Sequence, residues 1–487
     1  MKRIWDARFQ SPLSEHYQAI MTSFPLDKEL LKYEIWASAA HIHTLVEKGE
    51  IPKTAACKII YCLKEVMSNT EMILEADNED IHTCVEKYLI DKIGIDDAGY
   101  ISTGRSRNTQ VNVVTRLYLR NEMLLIKLHL QELMIKMQKT AMETYDWPMV
   151  GTTHCQPAQL ITVGFWINSY LAAFERCSNR IDMELSMLEE NFSGGGALAG
   201  TSFQYNTNLS NKFLSFHKKG INALDGVSGQ DFNIGVQMVV VQCAEILSRL
   251  LSEIIHFAMP SLGYLRLHDQ IGMGSSYMPQ KKNPSVFEIM RGKCARIYGM
   301  LMATLADIHG LESGYNRDFQ ILKENCCYSL IEMNEILETL SFAWEDLKFE
   351  RDRFAAPTQN HGIFMAECAN YVSKEAKISF RMAYQVVGQA FARNNTIDDI
   401  VTSIAKDSAV SNKLNVQHMM ELFVPTIVLT RYQGDASSNP QSVLKMAQIV
   451  GERLKNQMNL CKKRIQETQD AFEETFRISY FYQNEEI

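Results

Sequence analysis

Five stretches, Val111–Tyr145, Pro157–Phe192, Gln230–Met259, Pro284–Ser313 and Gln320–Arg351, are long and helix-compatible, with proline only at a first position, where it suits a helix start. Each is roughly 30 residues, or about 45 Å of straight helix, against an average helix of about 11–12 residues. A chain with five such segments has no room for a many-stranded sandwich, and an all-α fold is predicted. Several stretches carry apolar residues on more than one face, as in Met238-Val239-Val240-Val241 with Ile246, Leu247, Leu250 and Leu251. A helix that is apolar most of the way round must be covered on several sides. Five helices alone leave much of that surface wet, so the pattern predicts an oligomer assembled through the bundle, with a large monomeric core as the alternative. The expected organisation is three helical domains: residues 1–105, a central long-helix bundle over 106–354, and 355–487, where shorter segments resume. Within the last, Gln433–Pro440 reads as a loop and Tyr480–Ile487 as a polar tail.

Composition narrows the functional classes. A net charge of −8 with no basic stripe argues against nucleic-acid binding. The N-terminus has charge where a secretory signal needs an apolar core, and no run reaches the ~18 uninterrupted apolar residues of a membrane span. Eleven cysteines without a Cys-x-x-Cys read as reduced, mostly buried thiols of a cytoplasmic protein. The 25 methionines fit pliable helix packing.

Three polar, glycine-bearing connections carry the unusual chemistry: Ser102–Asn108, Gly151–Gln156 and Gly272–Asn283. In the third, Asn283 then Pro284 reads as an N-cap and first helical position. The loop thus runs into a helix N-terminus, whose free N–H groups and dipole favour anions. Lys281 and Lys282 add positive charge, so a carboxylate-bearing small molecule is the natural guest. By residue type alone, Ser275 is as readily a turn former and Glu288 a solvated helix charge. His154 stands out because Thr153, Gln156 and an expected helix start surround it, although a lone histidine is more often structural. His41 and His43 have metal-like spacing but no third ligand, and are read as surface helix positions. No metal or cofactor is expected. Ser193–Thr201 is glycine-rich but lacks the Lys-Ser/Thr ending and preceding strand of a phosphate loop.

In this order the loops resemble those of the fumarase/aspartase superfamily. Gly274-Ser275-Ser276-Tyr277-Met278-Pro279-Gln280-Lys281-Lys282-Asn283-Pro284 is similar to the superfamily signature over its whole length. Asp80-Ile81-His82-Thr83, Thr103–Asn108, Gly196–Thr201 and Tyr315–Gln320 with Lys323 resemble the argininosuccinate lyase branch, as do Ile4–Phe9 and Ser23 with Asp27. The resemblance implies a three-domain helical subunit whose central helices assemble a homotetramer, each active site being built from loops of three subunits.

The chemistry it implies is anti elimination from an N-substituted aspartate. A base removes a Cβ proton beside a carboxylate, an aci-carboxylate dianion forms, and the C–N bond breaks to give fumarate and an amine. Stabilising the dianion is the main demand. By position, the resemblance implies Ser275 as the base, with Lys281 and Asn283 holding the carboxylate that takes up charge. Thr153, Ser106 and Asn108 would orient the succinyl half, and His154, polarised by Glu288, would be a second proton-transfer group. Tyr315, Gln320 and Lys323 would address the amine half, with Ser23 and Arg107 as further substrate-binding residues. The branch pattern is broken at Met21 and Val85 (asparagine in the branch), Ser102 (histidine), Thr109 (aspartate), Pro157 (arginine) and Ile321-Leu322 (an acidic pair). These changes flank the amine half. Losing acidic and amide groups matters most for a guanidinium, which wants paired acceptors, and Glu79, Asp80 and Glu86 are the remaining candidates. The leading expectation is conversion of argininosuccinate to arginine and fumarate. The alternatives are a lyase for another N-substituted aspartate and, from another class, a non-catalytic structural homologue.

Overall fold

Covering the long apolar helices organises the chain. The computed structural model describes residues 14–70, 79–410 and 413–477, so the Ile4–Phe9 motif and the expected tail Tyr480–Ile487 lie outside the described residues. The elements that matter here are α1 (Leu31–Glu47), α2 (Ile81–Ile93), α3 (Arg107–Glu143), β1 (Pro148–Thr153), β2 (Gln156–Thr162), α4 (Val163–Met187), α5 (Asp231–Phe257), β3 (Met273–Gly274), β4 (Lys282–Asn283), α6 (Ser285–Asp307), α7 (Phe319–Glu345) and α8 (Pro440–Thr475). Helices dominate, as the apolar stretches predict, and among the described residues the strands pair only as two-stranded ribbons.

Helices α3, α4, α5 and α7 close a ring, each packed on the next, with α6 laid against α5 and α7. By length and hydropathy α5 matches a membrane span. Its Val236, Val240, Leu247, Leu251 and Ile254 are instead buried within the bundle. Helix α3 is covered further by α1 and α8, which is why it buries residues around most of its circumference. Two of these are arginines. Arg120 donates to the carbonyls of Leu214 and Ser215, both at 2.7 Å, and Arg116 to that of Met187 at 2.9 Å. Each guanidinium thereby meets the carbonyl-rich end of another helix, where a cation is favoured. Arg116 also lies over the Phe232 ring, 4.1 Å from its centroid, a cation–π contact.

A second, smaller core gathers Ile363, Val372, Val387, Ile400 and Leu422, and it takes in Val150 and Leu160 from β1 and β2. The β1–β2 ribbon is therefore stapled to this cluster. The ribbon corrects one expectation: residues from Pro157 do not begin a helix. Gln156–Thr162 is a strand paired antiparallel with β1, and the helix starts only at Val163, capped by the Thr162 hydroxyl, which accepts from Phe165 N–H at 3.0 Å. A second correction concerns α8, a 36-residue helix where only short segments were expected. It packs on α3 and α4. A third concerns His41 and His43, which are buried on α1. Their Nε2 atoms meet the carbonyls of Thr103 (3.0 Å) and Thr475 (2.7 Å). Burial is the main cause that pushes their pKa values down, to about 3 and about 4. They are neutral structural links.

Leu454 on α8 is 1% exposed, while its neighbour Lys455 lies in solvent. Leu454→Ala is expected to lower stability by about 2–5 kcal/mol and Lys455→Ala by no more than about 0.5 kcal/mol, as read from chemical-denaturation midpoints. Equal effects would mean that α8 does not pack as described.

Candidate functional site

The segment before α1 and the N-terminal turns of α2, α3 and α7 converge on a cavity of about 580 Å³ bordered by Ser23, Arg107, Asn108, Tyr315, Gln320 and Lys323. Its walls are charged, and nearly every charge is answered. Lys323, 5% exposed, donates to Asp27 Oδ1 at 2.6 Å, and the Ser23 hydroxyl donates to Asp27 Oδ2 at 2.5 Å. Burial works against the Lys323 charge, yet the Asp27 carboxylate outweighs it and holds that pKa above the ordinary lysine value. Asp80 caps α2, accepting from the Thr83 N–H and hydroxyl, both at 2.7 Å, while Arg107 lies 3.3 Å from the same oxygen. Arg317 pairs with Glu79 and donates through Nε to Gln320 Oε1 at 3.1 Å. Tyr315 stands edge-on to Phe319, and burial raises its pKa above the ordinary phenol value.

Beneath the cavity lies a residue that sequence reasoning passed over. Glu34, 1% exposed, accepts from Ser38 at 2.6 Å and meets His82 Nδ1 at 2.7 Å and Arg105 at 3.6 Å, with Gln110 also donating to it. One buried carboxylate thus ties α1 to the starts of α2 and α3. The available signal was an acid inside the apolar run Tyr33–Ala40 with a serine four residues on, since a charge there needs partners.

At the start of α3, Ser106 is the N-cap residue. The Asn108 amide donates to Ala197 O at 3.1 Å, and the Thr109 hydroxyl donates to Gly196 O at 2.9 Å. The glycine-rich segment is therefore a strap laid on the cavity rim. Gly196 has a positive φ, and a Cβ there would stand 2.1 Å from Gly200 O. That close turn needs glycine.

The remaining expected residues, Thr153, His154, Ser275, Lys281, Asn283 and Glu288, do not border this cavity. Thr153 pairs with Gln156, and His154 and Cys155 make the two-residue turn between β1 and β2 with φ of 53° and 57°. Two successive positive φ values match the right-handed twist of a hairpin, but for non-glycine residues they store strain. The turn holds the His154 imidazole out in solvent. Ser275 lies in a loop clasped by β3 and β4, with Met273 opposite Asn283 and Gly274 opposite Lys282. Its hydroxyl oxygen accepts from the N–H groups of Tyr277 (3.2 Å) and Met278 (3.0 Å). Lys282 is held by Leu267 O and Asp269 at 2.6 and 2.7 Å, whereas Lys281 is exposed and makes no ion pair among the described residues. Asn283 belongs to β4 and is not the helix cap. Pro284 occupies that place, no side chain caps α6, and Glu288 is exposed in its first turn.

A family model described as lyase matches residues 7–299. The argininosuccinate lyase of Caldanaerobacter subterraneus subsp. tengcongensis is 33% identical over 82% of this chain and 91% of its own length. That of Campylobacter jejuni (strain RM1221) is 32% identical over 93% and 99%. Among solved structures, EDDS lyase in complex with formate superposes with a TM-score of 0.83 at 19% identity, covering 97% of each chain. A class II fumarase from Schistosoma mansoni gives 0.70 at 17% identity, covering 84% and 91%. These two speak to the all-helical fold. The chain belongs to the lyase family, on the argininosuccinate lyase branch. It is a carbon–nitrogen lyase of the fumarate-releasing kind and acts on a small molecule.

Removing one member of a buried ion pair strands the other. Asp27→Ala is expected to cost about 3–5 kcal/mol in denaturant unfolding, and Asp27→Leu combined with Lys323→Met is expected to recover much of that. A double variant as unstable as the sum of its singles would show that the two side chains do not act as a pair.

Proposed function

We propose that the protein converts argininosuccinate to arginine and fumarate, with Ser275 as the base that removes the Cβ proton. The observation that carries this reading is the pair of N–H groups, from Tyr277 and Met278, aimed at the Ser275 hydroxyl oxygen. A serine hydroxyl is a poor base until its alkoxide is stabilised. Two N–H groups already in place become charge-assisted donors when that oxygen carries charge, and they need no reorganisation at the moment of reaction. Lys281, exposed beside the loop, and Asn283 then hold the carboxylate that becomes the aci-carboxylate. Ser106, Asn108 and Thr153 orient the succinyl half. Arg107, Tyr315, Gln320, Lys323 and Ser23 receive the amine half. His154, turned out on its hairpin, assists proton transfer with Glu288 as its partner.

These groups must meet on one substrate, yet within one chain the base loop and the His154 hairpin stand apart from the Ser23–Lys323 cavity. The reading therefore includes assembly as a homotetramer, each site taking the cavity from one subunit, the His154 hairpin from a second and the Ser275 loop from a third. The outer face of α6 supports this. Ile289, Tyr298 and Met302 are at least half exposed there, alongside Gly292, Ala295, Gly299 and Ala303, with Arg296 exposed among them, and large exposed apolar side chains gathered on one helix suit an interface. Small residues in the same face let a partner helix approach closely. We place this enzyme in the cytoplasm, where its exposed and half-buried thiols stay reduced.

Mixing the protein with argininosuccinate is expected to raise absorbance near ~240 nm, where the conjugated double bond of fumarate absorbs, and Ser275→Ala to slow that rise about 10²–10⁴-fold. No rise with argininosuccinate, but a rise with another N-substituted aspartate, would move the substrate. Turnover unaffected by Ser275→Ala would overturn the base. Light scattering is expected to give four times the 55.6 kDa of one chain, and an active monomer would overturn the shared site.

A further inference from the structure

Among the described residues, the five carboxylates bordering the cavity are Asp27, Glu34, Glu79, Asp80 and Glu86, and the four permanent cations are Arg105, Arg107, Arg317 and Lys323. Four acids are matched one to one: Asp27 with Lys323, Glu79 with Arg317, Asp80 with Arg107, and Glu34 with Arg105, His82 adding to the last. Glu86 is left over. Its carboxylate makes no ion pair among the described residues, and its one hydrogen bond comes from the Ser102 hydroxyl, which donates to Oε1 at 2.9 Å. The cation that acts on it, Arg105, is already committed to Ser38 at 2.7 Å and to Glu34.

We infer that Glu86, steadied by Ser102, is the counter-ion for an ammonium group on the amine half of the substrate, and so a specificity-determining residue of this lyase. The inference rests on the proposed site and names a contact within it. Glu86 is in the second turn of α2, on the wall shared with Asp80 and Arg107. It is half-buried, and burial raises its pKa above the ordinary carboxylate range, with Glu34 and Asp80 adding to that rise against Ser102 and Arg105. A desolvated carboxylate short of a cation gains from a guest that brings one. A carboxylate has about four lone-pair sites and Ser102 fills one, so room remains for two or three N–H donors of an ammonium. Glu79 and Asp80, the other two candidates for such a guest, are each closed by an arginine that belongs to the wall. The walls thus leave Glu86 as the acid open to a positive group of the substrate.

The test uses paired ligands that differ by one ammonium, bound to the full-length protein and followed by titration calorimetry: L-arginine against 5-guanidinopentanoate, and putrescine against butylamine. In the unaltered protein the ammonium-bearing member of the pair that fits is expected to bind about tenfold tighter or more. Glu86→Gln is expected to shrink that preference to about twofold, while Glu86→Asp, which keeps the charge, retains most of it. A merely structural role for Glu86 would weaken both members of a pair alike. The same preference in unaltered protein and Glu86→Gln, no preference in either pair, or no binding by any of the four would overturn the inference. A Glu86-dependent preference for putrescine with no binding of either guanidine would uphold it and sink argininosuccinate as the substrate.

Discussion

A helix that is apolar around most of its circumference has to be covered on every side, and meeting that constraint for α3 shapes the rest of the molecule. Helices α4 and α7 take two sides within the ring, and α1 and α8 take the others. The price is that two arginines must sit inside the packing. Arg116 and Arg120 are tolerated because each finds the carbonyls at another helix end, which pins the chain near Met187 and Leu214 to the same axis. The N-terminal turn of α3, just beyond its covered length, is where Arg107 and Asn108 meet the cavity, with Ser106 as the N-cap residue before them. A rigid, many-sided contact therefore fixes the orientation of the binding wall, as a site built on helix ends requires.

The long helices were legible in the sequence because apolar runs of that length have few other uses. The β1–β2 ribbon was not. Proline at position 157 invites a helix start, and the alternation that marks a strand, Leu160 and Thr162 inward with Ile161 between them, is only three residues long. Helix α8 was missed for a different reason. Its buried residues, Val443, Ala447, Val450, Leu454, Cys461, Thr468 and Thr475, form one narrow seam on an otherwise polar rod, so a composition scan sees a surface segment. His41 and His43 misled because histidine is ambivalent: its ring packs like an aromatic, and only the tertiary structure supplies the carbonyls of Thr103 and Thr475 that satisfy it.

The residues around the cavity were legible as motifs but not as pairings. Sequence places Asp80, Glu79 and Glu86 within seven positions on one short segment, and nothing in their spacing says which is taken. Arg317, more than two hundred residues away, takes Glu79, and Arg107 takes Asp80. Glu34 was invisible because a buried acid in an apolar helix carries no local signature of its role. Long-range ion pairing is decided by the fold, and it is the fold that converts a list of charges into one surplus carboxylate.

The strain at the hairpin tip bears on how the two halves of the chemistry come together. Non-glycine residues at positive φ cost free energy unless the surrounding structure enforces them. His154 and Cys155 both adopt it, although an Asn-Gly turn would relieve it. The ribbon that holds them is anchored at its base through Val150 and Leu160 to the small core, so the strained turn is presented outward on a firm stalk. A stalk of this kind is wasted on a side chain that only meets water. In the proposed homotetramer it has a use, since it carries the imidazole to a site on another copy. The Ser275 loop follows the same plan, clasped at its base by β3 and β4 with Lys281 exposed and Ser275 half-buried. Neither projection borders the recessed, charge-lined cavity of its own chain. In the proposed homotetramer, assembly is what brings these parts together, and the exposed side chains of α6 supply a surface for it.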